Sequence, residues 1–167
     1  MSDHVRDSIP RVAIFDIDGV LADVRHRLPY ISGRRRDWDS FFAEVGDDAL
    51  LASGAEAVRA AVAEGLSIVY LTGRPERCRQ DTVQWLRAHG LPDGLLLMRG
   101  DADRRPARVL KPEALQDVRS RADIVYVVDD DREVTQALAA AGFTVRLAEW
   151  MPREEPLTQA QESFGRT

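Results

Sequence analysis

The sequence predicts an α/β protein with a Rossmann-like parallel sheet of five strands flanked by helices. Three observations lead to this fold class. Short, continuous apolar runs recur along the 167 residues, helical patterns lie between them, and Pro or Gly marks the helix ends. Continuous apolar runs are typical of strands covered on both faces. Strands that alternate with helices favour a parallel sheet with right-handed crossovers.

Five apolar runs are predicted strands, at 12–15, 67–71, 95–98, 124–128 and 143–147. Four segments between them have helical patterns, at 55–64, 76–89, 112–121 and 132–141. Gly65, Gly90 and Gly142 follow three of these helices, and Pro75 and Pro112 stand at the start of two. Proline near the start of a helix and glycine just past its end are the usual boundary signals.

Residues 25–52 interrupt this alternation and are too long for a plain connection. They contain Arg34-Arg35-Arg36, followed by Trp38, Phe41 and Phe42 at helical spacing. We expect a small helical cap over the active-site end of the sheet; a surface loop with one docked helix is the alternative. The core domain then comprises 1–24 and 53–150. The polar tail, 151–167, is expected to be loosely attached.

Composition limits the classes of function. A net charge of −5 argues against a general polyanion-binding protein, although a local basic patch can still contact nucleic acid. Cys78 is the single cysteine, which excludes an internal disulfide and fits a reducing compartment. The first ten residues lack the apolar centre of a signal peptide, and no run approaches the ~20 apolar residues that span a bilayer. We therefore expect a cytoplasmic protein without membrane contact.

The first predicted strand ends in Asp16-Ile17-Asp18-Gly19. Alternate residues of a strand share a face, so both carboxylates are expected at the carboxyl end of the strand, where open α/β sheets bind ligands. Two carboxylates this close repel each other unless a cation lies between them or one is protonated. The pair therefore predicts a divalent metal, a nucleophile with an acid, or both.

Polar residues also follow the later strands. Thr72-Gly73-Arg74 follows the second strand, and its hydroxyl and backbone N–H groups can hold a phosphate oxygen. The third strand leads into 99–105 and then to Lys111. Asp129-Asp130-Asp131 ends the fourth strand and offers the oxygen ligands that Mg²⁺ prefers.

In this order, Asp16-x-Asp18-Gly19, Thr72-Gly73-Arg74, Lys111 and Asp129-Asp130 resemble the four motifs of the haloacid dehalogenase-like phosphohydrolases. A finer resemblance is to the phosphatase domain of phage-type polynucleotide kinase/3′-phosphatases. Arg27 lies where that family has an arginine, and Arg99-x-x-x-Asp103-x-Arg105 matches the arrangement before its lysine. An extra acid, Asp131, is a departure. A second departure is the lack of a Gly-x-x-x-x-Gly-Lys-Ser/Thr phosphate loop, so 5′-kinase activity is not implied.

The resemblance implies a role for each matching residue. Asp16 is the implied nucleophile, which forms an aspartyl-phosphate, and Asp18 the implied acid and base. Mg²⁺ is expected on Asp16, the backbone carbonyl of Asp18, and Asp129 or Asp130. The residues implied to bind phosphate or substrate are Arg27, Thr72, Gly73, Arg74, Arg99, Asp103, Arg105 and Lys111.

Several alternatives stay open at this point. The leading expectation is a phosphatase for 3′-phosphorylated nucleic-acid ends or nucleotides, with no obligate protein partner. A phosphatase for a 5′-nucleotide or another metabolite and a non-catalytic phosphate-binding module are the alternatives. Among the residues, Arg99, Asp103 and Arg105 can instead form a surface ion pair, and the acids at 129–131 can cap a helix. Arg34-Arg35-Arg36 can be a solvated face rather than a nucleic-acid contact.

Overall fold

A parallel sheet of five strands lies at the centre of the molecule, in a computed structural model that describes residues 9–151, 155–163 and 165. The strands in this part of the chain are β1 (Arg11–Phe15), β2 (Ala22–Asp23), β3 (Ala49–Leu50), β4 (Ser67–Pro75), β5 (Leu95–Arg99), β6 (Asp123–Asp129) and β7 (Val145–Leu147). The α-helices are α1 (Trp38–Ala43), α2 (Ala52–Ala63), α3 (Arg79–Ala88), α4 (Ala107–Arg119), α5 (Arg132–Ala140) and α6 (Glu155–Glu162).

The strand order β5–β4–β1–β6–β7 puts β1 at the centre, and all neighbouring strands in the sheet are parallel. Val12 of β1 pairs with Ser67 of β4 on one side and with Ile124 of β6 on the other. The chain builds outward from β1 to β5 and then crosses back to β6, so the strand order reverses beside β1. Ligands of open α/β sheets bind at such a reversal. The predicted fold class is therefore confirmed.

Helices cover both faces of the sheet, which explains why the strands are continuously apolar. Ala13 and Phe15 of β1 join a buried cluster with residues of α2 and α3. Val12 and Ile14 point the opposite way and pack with residues of α4 and α5. Because successive side chains of a strand alternate between faces, only an unbroken apolar run can supply both layers.

The segment 25–52, which we continue to call the cap, folds into short helical elements. It consists of a 3-10 turn (Arg25–Tyr30), α1 and a second 3-10 turn (Val45–Asp47), and the antiparallel pair of β2 and β3 closes its base. Phe41 and Phe42 of α1 are buried in the cluster on the α2 and α3 face. The cap is thus packed on the core, while its status as a separate functional unit stays a prediction.

Two elements start or end elsewhere than predicted. Helix α4 begins at Ala107, after Pro106, so Pro112 lies inside the helix instead of at its start. The prediction from Pro112 was wrong because a proline inside a helix removes only one N–H donor, here the one to the carbonyl of Arg108. The other hydrogen bonds of α4 are sufficient to keep it helical. Lys111 consequently projects from within α4. Strand β4 continues past Leu71, with a register shift before Pro75.

The expectation of a loosely attached tail is wrong for its described residues, which form α6. Leu157 and Ala160 are fully buried in the same cluster as the cap aromatics. Trp150 Nε1 donates to the carbonyl of Val20 at 3.0 Å and fastens the chain before α6. Pro156 lies in the first turn of α6, where a missing N–H costs nothing. No helix in the described residues is long and apolar enough to cross a membrane.

Candidate active site

The carboxyl ends of three adjacent strands bring the predicted catalytic residues together. Asp16 directly follows β1, Arg74 lies near the end of β4, and Asp129 is the last residue of β6. Lys111 reaches the same place from α4. All four side chains are buried, with no more than 2% of any residue exposed. Charges interact strongly in such a water-poor environment.

Asp16 lies among other carboxylates with one cationic neighbour. Lys111 Nζ is 3.0 Å from Asp16 Oδ2 and donates to Asp129 Oδ2 at 2.7 Å. Burial raises the pKa of Asp16 well above its ordinary value, and Lys111 opposes this rise. The charges of Asp129, Asp130 and Asp18 raise the pKa further. Negative charge is therefore in excess around the predicted nucleophile.

Asp18 has the opposite environment. Its Oδ1 accepts hydrogen bonds from Arg74 Nε and Nη2, at 2.8 and 2.6 Å, and from Arg27 Nη2 at 3.0 Å. Burial by itself raises the pKa of Asp18, but the charges and hydrogen bonds of the two arginines outweigh it and lower the pKa to about 2. Asp18 Oδ2 is buried and has no hydrogen-bond partner among the described residues. The arginines thus hold one oxygen of Asp18 and leave the other without a partner.

A further carboxylate, Asp48, joins the two arginines to each other. Asp48 Oδ2 accepts from Arg74 Nη2 at 2.7 Å and from Arg27 Nη2 at 3.0 Å, and Oδ1 accepts from Arg27 Nε at 2.8 Å. We name Asp18, Arg27, Arg74 and Asp48 the arginine clamp. Sequence analysis missed Asp48, because it belongs to no motif. The one available signal was an acid directly before the apolar run 49–52, where an unpaired charge is costly.

The cap and α3 hold the clamp from outside. The guanidinium of Arg27 lies over the Phe41 ring, 4.3 Å from its centroid. Trp85 Nε1 donates to the backbone carbonyl of Asp48 at 2.7 Å. His26 Nε2, from the first turn of the cap, is 2.8 Å from Asp48 Oδ1. The position of Arg27 and Asp48 therefore depends on how the cap is packed.

The three consecutive acids after β6 serve two purposes. Asp131 is the N-cap of α5, and its Oδ1 accepts from the Glu133 N–H at 2.9 Å. Asp129 and Asp130 instead lie beside Asp16. Each of these three offers a carboxylate oxygen, and the oxygens lie within 4.8 Å of one another. The geometry thus separates a helix cap from a pair of potential metal ligands.

The turn after the first motif requires glycine. Gly19 has a φ of +81°, and a Cβ at this position would overlap the carboxylate of Asp130. Glycine is the residue that adopts this backbone conformation without steric cost. Its missing side chain lets the acid after β6 approach the first motif.

Thr72, Gly73 and Arg99 lie at the carboxyl ends of β4 and β5 and are hydrogen-bonded to neighbouring residues. Thr72 Oγ1 accepts from the backbone N–H of Arg74 at 3.2 Å, and the carbonyl of Gly73 accepts from Arg99 Nε at 3.1 Å. Arg99 also donates to the carbonyl of Arg105 at 2.6 Å. These bonds brace the loop ends against each other, and the predicted contacts of Thr72, Gly73 and Arg99 with phosphate stay predictions.

Asp103 and the guanidinium of Arg105 lie on the surface, away from Asp16. They form an ion pair of 2.7 Å, and Arg105 also pairs with Glu113 at 2.6 Å. The Asp103 and Arg105 side chains are 21% and 47% exposed. The two residues thus form the surface ion pair that was the alternative prediction. None of their hydrogen bonds among the described residues is to the arginine clamp. Their contact with substrate stays a prediction.

The group around Asp16 fits a divalent cation. Asp16, Asp129 and Asp130 supply three buried carboxylates, and Lys111 alone does not neutralise them. Hard oxygen donors of this kind are the ligands of Mg²⁺. A bound cation would remove the repulsion that raises the pKa of Asp16. The Asp18 side chain points to the arginines instead, so the predicted metal contact through its backbone carbonyl stays a prediction.

A Rossmann-like sheet that carries these four motifs on its strand ends defines a haloacid dehalogenase-like phosphatase. The family model described as "Polynucleotide kinase PNKP phosphatase domain" matches residues 10–148. The chain therefore belongs to the family of polynucleotide kinase phosphatase domains and is a phosphatase. The match covers the sheet, the cap and all four motifs.

Solved structures share this fold at low sequence identity. A chain of the Pnkp1/Rnl/Hen1 RNA repair complex is 23% identical, with a TM-score of 0.73 over 85% of this chain. This chain spans only 43% of that protein. The class C acid phosphatase from Bacillus anthracis with tungstate bound is 14% identical, with a TM-score of 0.62, and 92% and 78% of the two chains are covered. A search of curated proteins finds no match.

Proposed function

We propose that this protein is a Mg²⁺-dependent phosphomonoesterase that removes 3′-phosphate from nucleic-acid ends or nucleotides. The observation that carries the proposal is the opposite charge around Asp16 and Asp18 within one motif. Asp16 lies beside Lys111 and two potential metal ligands, whereas Asp18 is held by two arginines. Two carboxylates whose environments separate their pKa values are typical of a nucleophile and an acid–base partner.

In the first step, Asp16 attacks phosphorus in line, and the bond to the leaving 3′-oxygen breaks as the aspartyl-phosphate forms. In this proposal, Lys111 and Thr72 hold the equatorial phosphoryl oxygens. Bound Mg²⁺ would rest on Asp16, Asp129, Asp130 and the Asp18 carbonyl, and would stabilise negative charge on the phosphoryl group. Positioning and electrostatics of this kind supply most of the catalysis in phosphoryl transfer.

Asp18 transfers a proton in each of the two steps. It protonates the leaving oxygen in the first step and takes the proton of the attacking water in the second. A pKa of about 2 keeps the Asp18 carboxyl ionised, and the base of the second step must be ionised. The first step, in contrast, needs a protonated carboxyl. Arg27 Nη1 is buried and has no partner among the described residues. A substrate phosphate that draws Arg27 or Arg74 away would loosen the clamp and raise the pKa of Asp18 when the proton is needed.

The substrate class is supported by the family and by the surface of the cap. Members of the matched family are described as polynucleotide kinase phosphatase domains. Arg34 and Arg35 are exposed on the cap and can meet the backbone phosphates of an oligonucleotide. The RNA repair structures contain their protein in a complex with Rnl and Hen1. Our expectation that this chain needs no obligate protein partner, and its cytoplasmic location, stay predictions.

The test compares phosphate release from matched substrates in Mg²⁺. A 3′-phosphorylated oligonucleotide or nucleotide should give a higher kcat/KM than the 5′-phosphorylated form of the same sequence. Sugar phosphates and an aryl phosphate serve as reference substrates. If 5′-mononucleotides or sugar phosphates exceed every 3′-phosphorylated substrate, the protein is a metabolite phosphatase with the same catalytic residues.

A further inference from the structure

Helix α6 runs across the carboxyl edge of the sheet, from one face to the other. Leu157 and Ala160 are buried in the cluster on the α2 and α3 face. At the other end of the helix, Glu162 pairs with Arg108 in the first turn of α4, on the opposite face. Eight residues of α-helix extend about 12 Å, which is enough to span the strand ends.

The contacts of α6 lie on elements around the carboxyl edge of the sheet. Arg36 of the cap donates to Gln159 Oε1 at 3.4 Å. Arg108, besides pairing with Glu162, lies 3.4 Å from Glu133 in the first turn of α5. The backbone of Gly165 lies against the carbonyl of Arg104, in the loop after β5. The segment is thus fixed to the cap and to the loops or helices that follow β5 and β6.

Access to the catalytic groups is blocked in this arrangement. Asp16, Asp18 and Lys111 are at most 2% exposed, and so are Asp129 and Asp130. A phosphomonoester must bring its phosphorus within bonding distance of an Asp16 oxygen. Some segment at the carboxyl edge of the sheet must therefore move before turnover, and α6 joins the cap to α4 across this edge.

We propose that α6 is an autoinhibitory strap, which covers the opening of the active site and must lift from α4 and the cap before a phosphate ester can reach Asp16. The proposal of a strap depends only on the site being a phosphatase, whatever its substrate. The expected preference for a polynucleotide end rests on the proposed function.

An ion pair with Arg108 holds the acidic end of the strap, and two further acids lie close to it. The Glu162 side chain is 9% exposed and lies beside Arg108, and its charge also acts on Arg99. Burial raises the pKa of Glu162 to about 7; Arg108 opposes this, and Asp131 and Glu133 add to it. The neighbouring acids oppose the attraction between Arg108 and Glu162, so this end of the strap is the one expected to lift.

The test fixes the strap to α4 in the 167-residue chain. Both partners of the ion pair are replaced, as Arg108→Cys with Glu162→Cys, and a short bismaleimide then joins the two thiols. Cys78 is buried, and burial raises its pKa to about 11, so it does not compete for the reagent. Before reaction, loss of the ion pair should raise kcat/KM for a 3′-phosphorylated oligonucleotide several-fold over the natural sequence. After reaction, kcat/KM should fall about tenfold or more, for this substrate and for p-nitrophenyl phosphate.

The matched control is Arg87→Cys with Asp93→Cys, joined by the same reagent. This ion pair, of 3.3 Å, lies between the end of α3 and the loop before β5, at the amino end of the sheet. Joining it should leave both rates unchanged. Unchanged turnover in the joined strap variant would overturn the proposal. If the protein hydrolyses no oligonucleotide, but joining the strap still stops p-nitrophenyl phosphate hydrolysis, the strap stands and the proposed substrate is wrong.

Discussion

Asp16 and Asp18 are separated by one residue, yet the protein surrounds them with opposite charge. Asp16 shares the ammonium of Lys111 with Asp129, so its neighbourhood is negative. Asp18 lies between the guanidinium groups of Arg27 and Arg74. Burial acts on both in the same direction, and the neighbouring charges decide that one pKa rises and the other falls.

This difference shows that the motif does not assign the roles by itself. A strand end presents two equivalent carboxylates, and the elements packed around it make them unequal. Helix α4 and β6 supply the surroundings of Asp16, whereas β4 and the cap supply those of Asp18. Substitutions at each of these elements should therefore disturb the difference between Asp16 and Asp18, and their effects on activity should differ in size.

The largest effect is expected at the two aspartates themselves. Asp16→Asn should abolish turnover, by roughly 10⁴-fold or more, and should also weaken Mg²⁺ binding. Asp18→Asn should likewise stop turnover but leave Mg²⁺ binding largely intact. Turnover of an aryl phosphate and calorimetric Mg²⁺ titration measure the two properties separately.

Two controls belong with these variants. Asp117→Asn changes an exposed acid near the end of α4, so activity should be kept. In the natural sequence, beryllium fluoride should mimic the aspartyl-phosphate on Asp16. A structure with the adduct on any other side chain would refute the assignment.

Removal of divalent cations should abolish activity and restore the repulsion around Asp16. Three carboxylates then face one lysine, and the nucleophile is driven towards its protonated form. Activity lost to a chelator should return when Mg²⁺ is added. Full turnover in metal-free buffer would contradict the metal site.

The arginine clamp should be sensitive to Asp48. Asp48→Asn removes a buried charge that both arginines share, and we expect kcat/KM to fall by about 10- to 100-fold. Thermal or denaturant unfolding should show a loss of about 3 kcal/mol, since two buried arginines are then left with Asp18 as their one shared counter-ion. Asp47→Asn, at the exposed neighbouring position, is the control and should be near neutral. Equal stability of the two variants would show that Asp48 does not hold the clamp.

The smallest effect is expected at the cap surface. Replacing Arg34 and Arg35 by alanine should weaken oligonucleotide binding and flatten its dependence on salt, by about 0.7 in slope per lost phosphate contact. Arg36 is left in place, because it also contacts α6. The double variant Arg59→Ala with Arg87→Ala makes the same change in net charge at exposed sites elsewhere. Identical salt slopes for both double variants would show that the cap arginines are only solvated.

The sequence was sufficient to predict the sheet and the motif residues, because both depend on local signals. An unbroken apolar run that ends in a polar residue marks a buried strand end, and parallel strand ends meet at one edge. Asp16, Thr72 and Asp129 could therefore be placed together before any coordinates. The same reasoning found the helices of the core, apart from the start of α4.

What could not be predicted depends on contacts between distant segments. Asp48 is an isolated acid in the sequence, and its importance arises only when the cap folds Arg27 beside Arg74. Helix α6 is short and mostly polar, so its two buried apolar residues, Leu157 and Ala160, gave too weak a periodic signal. Pro112 gave a false helix start, because proline is tolerated once a helix is supported by tertiary packing.

The position of β1 at the centre of the sheet has a consequence for folding during synthesis. Its first partner, β4, follows within the first half of the chain, but Arg11 must wait for Asp123 before its other edge is paired. Until then, β1 presents an open apolar edge, which invites wrong pairing or aggregation. The aspartates that complete the site arrive on that late strand. A ribosome-bound chain that ends before β6 should therefore be compact on one side, inactive, and dependent on chaperones to shield its nucleophile-bearing strand.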